Sequence, residues 1–289
     1  MKQFSLLSAL LFAGLFPASA QLTVQVLQDQ EQFLPGESLQ TAVRITNRSG
    51  QTLRLGKEDN WLTFSIESPD GLVVNRLGEV PVAGEFVLES SKMATKRVDL
   101  MPYFALNQPG RYSIIATVRI PAWGDQAISQ PKNFDIIQGA QLWQQEFGVP
   151  KKATDTNVIP EIRKYILQQA NYIKGELRLY LRLTDATGER TFRVFSIGRM
   201  LSFSRPEPQL DKLSNLHLLF ANGPHSFNYV VFNTDGELLA RQTYDYSNNS
   251  RPRLRPDEDG KISVTGGSRR ITANDFPAPE PLSVQAPQK

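Results

Sequence analysis

Cysteine is absent from all 289 residues, and histidine occurs only twice, as His217 and His225. Thiol nucleophiles, thiolate metal sites and disulfide scaffolds are thereby excluded, and so is any centre built from three histidines. A chain without disulfides has to stabilise itself by burial, which about 270 residues can do as one large or two ordinary domains. A dominant charge is lacking too: 32 basic against 29 acidic residues leave a formal +3. So small an excess does not indicate a nucleic-acid partner. Long apolar runs are also missing, since nothing after residue 20 approaches the ~20 apolar residues of a transmembrane helix.

What is present starts with an address. Lys2, the apolar run Phe4 to Phe16 and then Ala18-Ser19-Ala20 stand in the order of a secretory leader with an A-x-A cleavage site. The expectation is a signal peptide over 1–20, a chain starting at Gln21 and a periplasmic or secreted protein. Removing Lys2 with the leader lowers the charge to +2. Cysteine is missing beside the cut, so a lipid anchor there is not expected.

Residues 21–138 carry the period of short strands. LTVQVLQ (22–28), LQTAVRITN (39–47), LTFSIES (62–68) and RYSIIATVRI (111–120) alternate apolar and polar positions, which places every second side chain on one face. Pro69-Asp70-Gly71 is a turn in which proline presets φ and glycine supplies a positive one. Turn signals recur at roughly the 8–12-residue spacing of an antiparallel sandwich.

On particular residues this half resembles a bacterial immunoglobulin-like domain. They are Phe33-Leu34-Pro35-Gly36-Glu37, then Ile45-Thr46-Asn47 with Ser49-Gly50, and Pro109-Gly110-Arg111-Tyr112-Ser113-Ile114. The last stretch is similar to a tyrosine corner, in which a tyrosine at the start of a late strand bonds back to nearby backbone. The resemblance implies a β-sandwich with Ile114 where antibody-type domains place a disulfide cysteine, and Trp61 as a candidate core tryptophan. It covers about 115 residues and implies little about activity, because sandwiches host many roles.

Residues 139–272 are expected to form a second antiparallel β domain with one amphipathic helix near 158–173. In NVIPEIRKYILQQANYI, Ile159, Ile162, Ile166, Ala170 and Ile173 recur at three- and four-residue spacings, with Arg163, Lys164, Gln168 and Gln169 opposite. Asn157 is the expected cap, Pro160 fits the first turn and Gly175 ends it. Strands resume at 176–185, 190–198 and through LHLLF, FNYVVFN and ELLARQTYD to KISVTGG. Residues 211–245 resemble one blade of exported β-propellers through Asn215-Leu216-His217-Leu218, Phe227-Asn228-Tyr229-Val230-Val231 and Asp235-Gly236. A propeller needs at least four blades, so the shared feature is a meander. The proline-rich tail, 273–289, is expected to be disordered.

Three clusters carry candidate chemistry. Asp211 and His217, with Ser226 beyond the next turn, write out a Ser-His-Asp set, but such sets are defined by geometry and not by order. No Gly-x-Ser-x-Gly elbow accompanies them, so the expected role of His217 is structural, bonded to backbone or lining a groove. His225 follows Pro224 at a loop tip. Asn233-Thr234-Asp235-Gly236-Glu237 spaces oxygens like a calcium loop, yet its glycine is misplaced and two strands flank it, so a hairpin turn is expected. Arg251, Arg253 and Arg255 lie two residues apart and Arg269 and Arg270 can join them, a row suited to carboxylates, sulfates or phosphates. Trp123, Trp143, Tyr244 and Tyr246 offer either stacking faces for sugars or ordinary packing.

The functional expectation is a non-catalytic binding or scaffold protein without cofactor or metal, its partner an extracytoplasmic protein or glycan. Its rivals are an exported hydrolase using Asp211 and His217, and a protease inhibitor of the immunoglobulin-like kind.

Overall fold

The computed structural model describes residues 22–150, 161–247 and 250–278. The expected leader, Asn157 to Pro160 of the expected helix and the end of the tail lie outside them. The described chain is mainly β, with several antiparallel sheets and three short 3-10 turns as its helical content. None of its helices is long and apolar enough to cross a membrane.

Ten strands build the N-terminal half: β1 (Leu22–Gln28), β2 (Gln32–Phe33), β3 (Gln40–Asn47), β4 (Leu53–Leu55), β5 (Leu62–Glu67), β6 (Phe86–Leu88), β7 (Met93–Asp99), β8 (Gly110–Ile120), β9 (Asp125–Ile128) and β10 (Lys132–Ile136). One sheet has the order β1-β3-β7, and a second runs β2-β10-β8-β5 with β9 also beside β8. The pairs are antiparallel except β2 with β10. Alternation becomes burial directly: Tyr112, Ile114, Ala116, Val118 and Ile120 of β8 all point inward. They share one apolar cluster with Val24, Val43, Ile45, Phe64 and Ile66 from both sheets. Trp61 is in it, its Nε1 donating to the Val82 carbonyl at 2.9 Å. The Tyr112 hydroxyl donates to the Gln108 carbonyl at 2.7 Å. Gly56 has φ +87°, and a Cβ there would stand 2.1 Å from the Gly84 carbonyl oxygen, so only glycine lets these two segments touch.

Eleven strands follow: β11 (Ala140–Gly148), β12 (Ile162–Tyr172), β13 (Glu176–Asp185), β14 (Thr191–Arg199), β15 (Glu207–Leu210), β16 (Leu216–Ala221), β17 (Ser226–Phe232), β18 (Leu238–Asp245), β19 (Arg253–Pro256), β20 (Ile262–Thr265) and β21 (Ser268–Arg270). They form a sheet β11-β12-β13-β14, a sheet β15-β16-β17-β18-β21 and the hairpin β19-β20. The larger sheet is covered on both faces. Leu216, Leu218 and Phe220 pack with Tyr165, Leu167, Leu181 and Leu183 of the four-stranded sheet. Leu219, Tyr229 and Val231 pack with Leu254 and Ile262 of the hairpin.

The helix expected near 158–173 is not formed; its described part is strand β12, paired along its length with β13. The reason is an ambiguity of period. Ile162, Ile166 and Ala170 are spaced by four, which puts them on one face of a helix and equally on one face of a strand. Tyr165 and Leu167 decide between the two, because they are two residues apart and both fully buried in the core between the sheets. The isoleucines and tyrosines of the segment also favour extended backbone.

The outer face of β12 to β14 meets the N-terminal half. Leu34 packs with Ala170, Tyr180 and Val194. The Arg182 guanidinium donates to the Pro35 carbonyl at 2.7 Å and to Gln168 at 3.2 Å. Glu37 closes the turn from below, accepting from the Leu34 N–H at 2.8 Å and from Gln30. Burial pushes the Glu37 carboxyl above its ordinary range, against the pull of those hydrogen bonds.

Candidate functional site

Asp211 and His217 are brought together. A tight turn joins β15 to β16, and Asp211 organises it by accepting from the backbone N–H of Leu213 and Asn215 and from the Asn215 side chain, each at 2.9 Å. His217 then enters β16, where its ring faces the β19-β20 hairpin side along with Leu219. Its Nε2 lies 3.2 Å from Asp211 and its Nδ1 2.7 Å from the Tyr229 hydroxyl. Pairing of β16 with β17 sets His217 opposite Val231, so Tyr229 sits on the same face two residues along.

The Asp211 carboxylate can only accept, so in the neutral imidazole Nε2 carries the N–H that donates to it and Nδ1 accepts from the Tyr229 hydroxyl, a phenol that burial pushes up to about 12. Burial alone would raise the Asp211 carboxyl, but the hydrogen bonds from Asn215, His217 and Leu213 outweigh it and hold the group below the ordinary carboxylate range. The chain Asp211–His217–Tyr229 therefore uses both ring nitrogens.

Ser226 is not part of this chain. It opens β17 opposite Asp245, five residues from the position facing His217, which is about 17 Å along a strand. Its hydroxyl accepts from Arg270 at 3.1 Å. His225 stands apart at the β16–β17 loop, with its carbonyl taken by the Tyr246 N–H.

Asp211→Ala is expected to cost about 2–3 kcal/mol, since it strands two backbone donors and one imidazole N–H. The depressed folded-state pKa fixes the sign of the pH dependence. The carboxylate's stabilisation is present above the unfolded value near ~3.9 and is lost as pH falls through the lower folded value. Urea midpoints of variant and wild type should differ at neutral pH and converge in acid; a gap constant with pH would refute this.

The five arginines of the expected anion site have mixed fates. Arg253 and Arg255 stand on the exposed face of β19 and form no salt bridge among the described residues. Arg251 turns back over the Phe227 ring at 5.2 Å and reaches Glu207 at 3.6 Å. Arg269 pairs with Asp275 and lies over Tyr244, and Arg270 pairs with Asp245 at 2.7 Å. Three of the five thus pair with carboxylates. The Asn233 to Glu237 stretch is a hairpin turn: the Asn233 side chain accepts from the Asp235 and Glu237 N–H groups, and Arg163 holds Asp235. Trp123, Trp143 and Tyr244 all pack against cores, and Trp143 also lines a surface hollow with Arg205 and Pro206.

A larger cleft of about 560 Å³ lies where the two halves meet. Leu77, Met101 and Phe104 form one wall, and Phe192 and Val194 of β14 form the other. Gly36, Thr191, Arg193 and Asp99 add its polar edge. Phe192 is flanked by the guanidiniums of Arg163 and Arg190, each 4.7 Å from its ring centre. Asp99 accepts from the Leu39 and Met101 N–H groups at 2.8 and 3.0 Å. Nothing in the sequence pattern singles out this cleft, because its walls lie in segments far apart along the chain. The only local signals are the Leu34-Pro35-Gly36-Glu37 turn and the close arginines of the 190–193 stretch.

No family model matches the sequence, and no curated protein is significantly similar to it. Among solved structures the chain is similar to Spo0M, a sporulation control protein from Bacillus subtilis, at 11% identity over 61% of this chain and 91% of that one. The TM-score is 0.31, too low for the likeness to carry a conclusion about fold or role.

Proposed function

We propose that this chain is an exported, non-catalytic binding or scaffold protein whose ligand sits in the cleft between its halves. The N-terminal half is read as an immunoglobulin-like sandwich. Two sheets around a shared core and the Tyr112–Gln108 hydrogen bond support that reading. One observation carries the functional reading: the cleft is built from both halves, and the contacts that join them also shape it. Arg182 on the Pro35 carbonyl and Leu34 in its apolar socket fix the turn that lines the cleft. The hollow mixes an apolar wall of Leu77, Met101, Phe104, Phe192 and Val194 with the polar Ser38, Asp99, Asn107, Thr191 and Arg193, and a concave site of that size with both kinds of group is a common form of ligand site. Against the hydrolase reading, His217 is mostly buried and committed at both nitrogens, and Ser226 lies elsewhere.

Arrays of peptides and glycans, anionic and neutral, provide the test. Wild type and His217→Gln should retain the same members, and Phe192→Asp should lose them. Hydrolase profiling is run beside the arrays. Turnover by wild type that His217→Gln abolishes would overturn the proposal, as would binding indifferent to Phe192→Asp.

A further inference from the structure

We infer that the junction cleft takes an extended peptide, which adds as a short strand to the edge of β14 and carries one basic group for Asp99. This rests on reading the cleft as the binding site and names the class of ligand and the way it is held.

Four successive residues of β14, Thr191 to Val194, line the cleft, although neighbours along a strand send their side chains to opposite faces. The methyl groups of Thr191 and Val194 stand beside Gly36 of the N-terminal half. Arg193 turns the other way, donating to the Gly236 carbonyl at 3.0 Å and lying over the Phe195 ring. With its guanidinium engaged there, Arg193 offers the cleft its backbone. A hollow that touches residues of both orientations runs along the edge of the strand. β14 has β13 on one side and no strand on the other. Alternate residues of an edge strand leave N–H and C=O unpaired, and among the described residues no backbone group outside β13 bonds to those of Thr191 to Val194.

The register limits what can be added. Thr191 stands opposite Thr184 and Arg193 opposite Leu183, so Phe192 is the extra residue of a β-bulge; a second bulge follows at Ile197. A bulge re-aims its side chain and interrupts pairing, which accounts for Phe192 at the cleft wall. Between the bulges Arg193 to Ser196 keep a regular register with β13, about 13 Å of straight edge. That length admits a few residues of extended chain and not a long strand from a second copy. The opposite wall receives side chains of both kinds, since Leu77, Met101 and Phe104 stand there with Ser38 and Asn107.

One carboxylate sets the charge preference. Asp99 and Arg193 are the charged residues of the lining, and the Arg193 guanidinium is turned away. The Asp99 Oδ1 accepts from the Leu39 and Met101 N–H groups, while its Oδ2 makes no hydrogen bond among the described residues. Arg163 and Arg190 flank Phe192 outside the lining, and Arg163 is already paired with Glu161 and Asp235. A lysine or arginine in the added segment gives Oδ2 its partner in a charge-assisted bond.

The test passes a library of acetylated, amidated hexapeptides over the immobilised full chain and identifies retained members by mass spectrometry. Members with lysine or arginine should be enriched. N-methylation of the tightest member, one residue at a time, should weaken binding about tenfold or more at every second position and little between them, because an added strand uses alternate N–H groups. Asp99→Asn keeps an oxygen for the two backbone N–H groups. It should cut the preference for lysine over neutral norleucine from about fivefold, the size an exposed ion pair supplies, to none. Phe192→Ala should weaken every member. Sensitivity to N-methylation without alternation, or retention of no hexapeptide, overturns strand addition. A lysine preference that survives Asp99→Asn overturns the role of Asp99. The cleft reading outlives both results if the ligands held by wild type are lost in Phe192→Asp, and falls with them if they are not.

Discussion

Trp61→Ala should destabilise the N-terminal half by about 3–5 kcal/mol, among the largest single-residue effects available in this molecule. The side chain is 1% exposed and meets Phe86 edge-on with ring centres 5.5 Å apart. Truncation removes that contact, opens a cavity and leaves the Val82 carbonyl without the indole N–H that now satisfies it. Trp61→Phe keeps most of the bulk and should cost about half as much. Guanidinium unfolding followed by far-ultraviolet circular dichroism is the check, with a midpoint lower by about 1 M expected for the alanine variant. A loss under about 1 kcal/mol would show that Trp61 does not anchor this core.

Leu34→Asp should have a comparable effect of different character. Leu34 is 1% exposed between Ala170, Tyr180 and Val194, so the change forfeits about 2–3 kcal/mol of burial. It also puts a carboxylate into an apolar socket close to Glu37, adding at least another 1–3 kcal/mol. The cheapest response is to open the junction, because each half keeps its own core. The radius of gyration in solution scattering should rise, and the halves should unfold in separate transitions. Leu34→Ala should cost about 2–3 kcal/mol and leave the junction closed. An unchanged radius and a single unchanged transition for Leu34→Asp would sink the claim that this contact holds the halves together.

How far the sequence could be read depended on whether one segment carried its own evidence. The strands at 22–28, 39–47, 62–68 and 111–120 are legible because a two-residue period with one buried face needs no distant partner to be recognised. The turn at Asn233 to Glu237 is legible for a similar reason, its side chain bonding its own backbone two and four residues on. The 158–173 segment misleads because spacing by four serves both periods, and only the core facing Tyr165 and Leu167 separates them. The five arginines looked alike in sequence, yet Glu207, Asp245 and Asp275 claim three of them from positions no spacing rule connects.

His217 shows the same division. Its place on a strand beside Leu219 follows from alternation, whereas its commitment to Asp211 and Tyr229 follows from a turn and a strand register. From sequence alone come the β character, the lack of thiol chemistry, and the turns that glycine, proline and asparagine dictate, because these depend on local backbone preference and composition. The tertiary structure decided that β12 is extended, which arginines stay free of acids, and that a cleft forms beside Gly36 and Phe192. Those outcomes depend on pairings between distant segments, where the burial of Tyr165, Leu167 and Leu34 outweighs what any segment prefers alone.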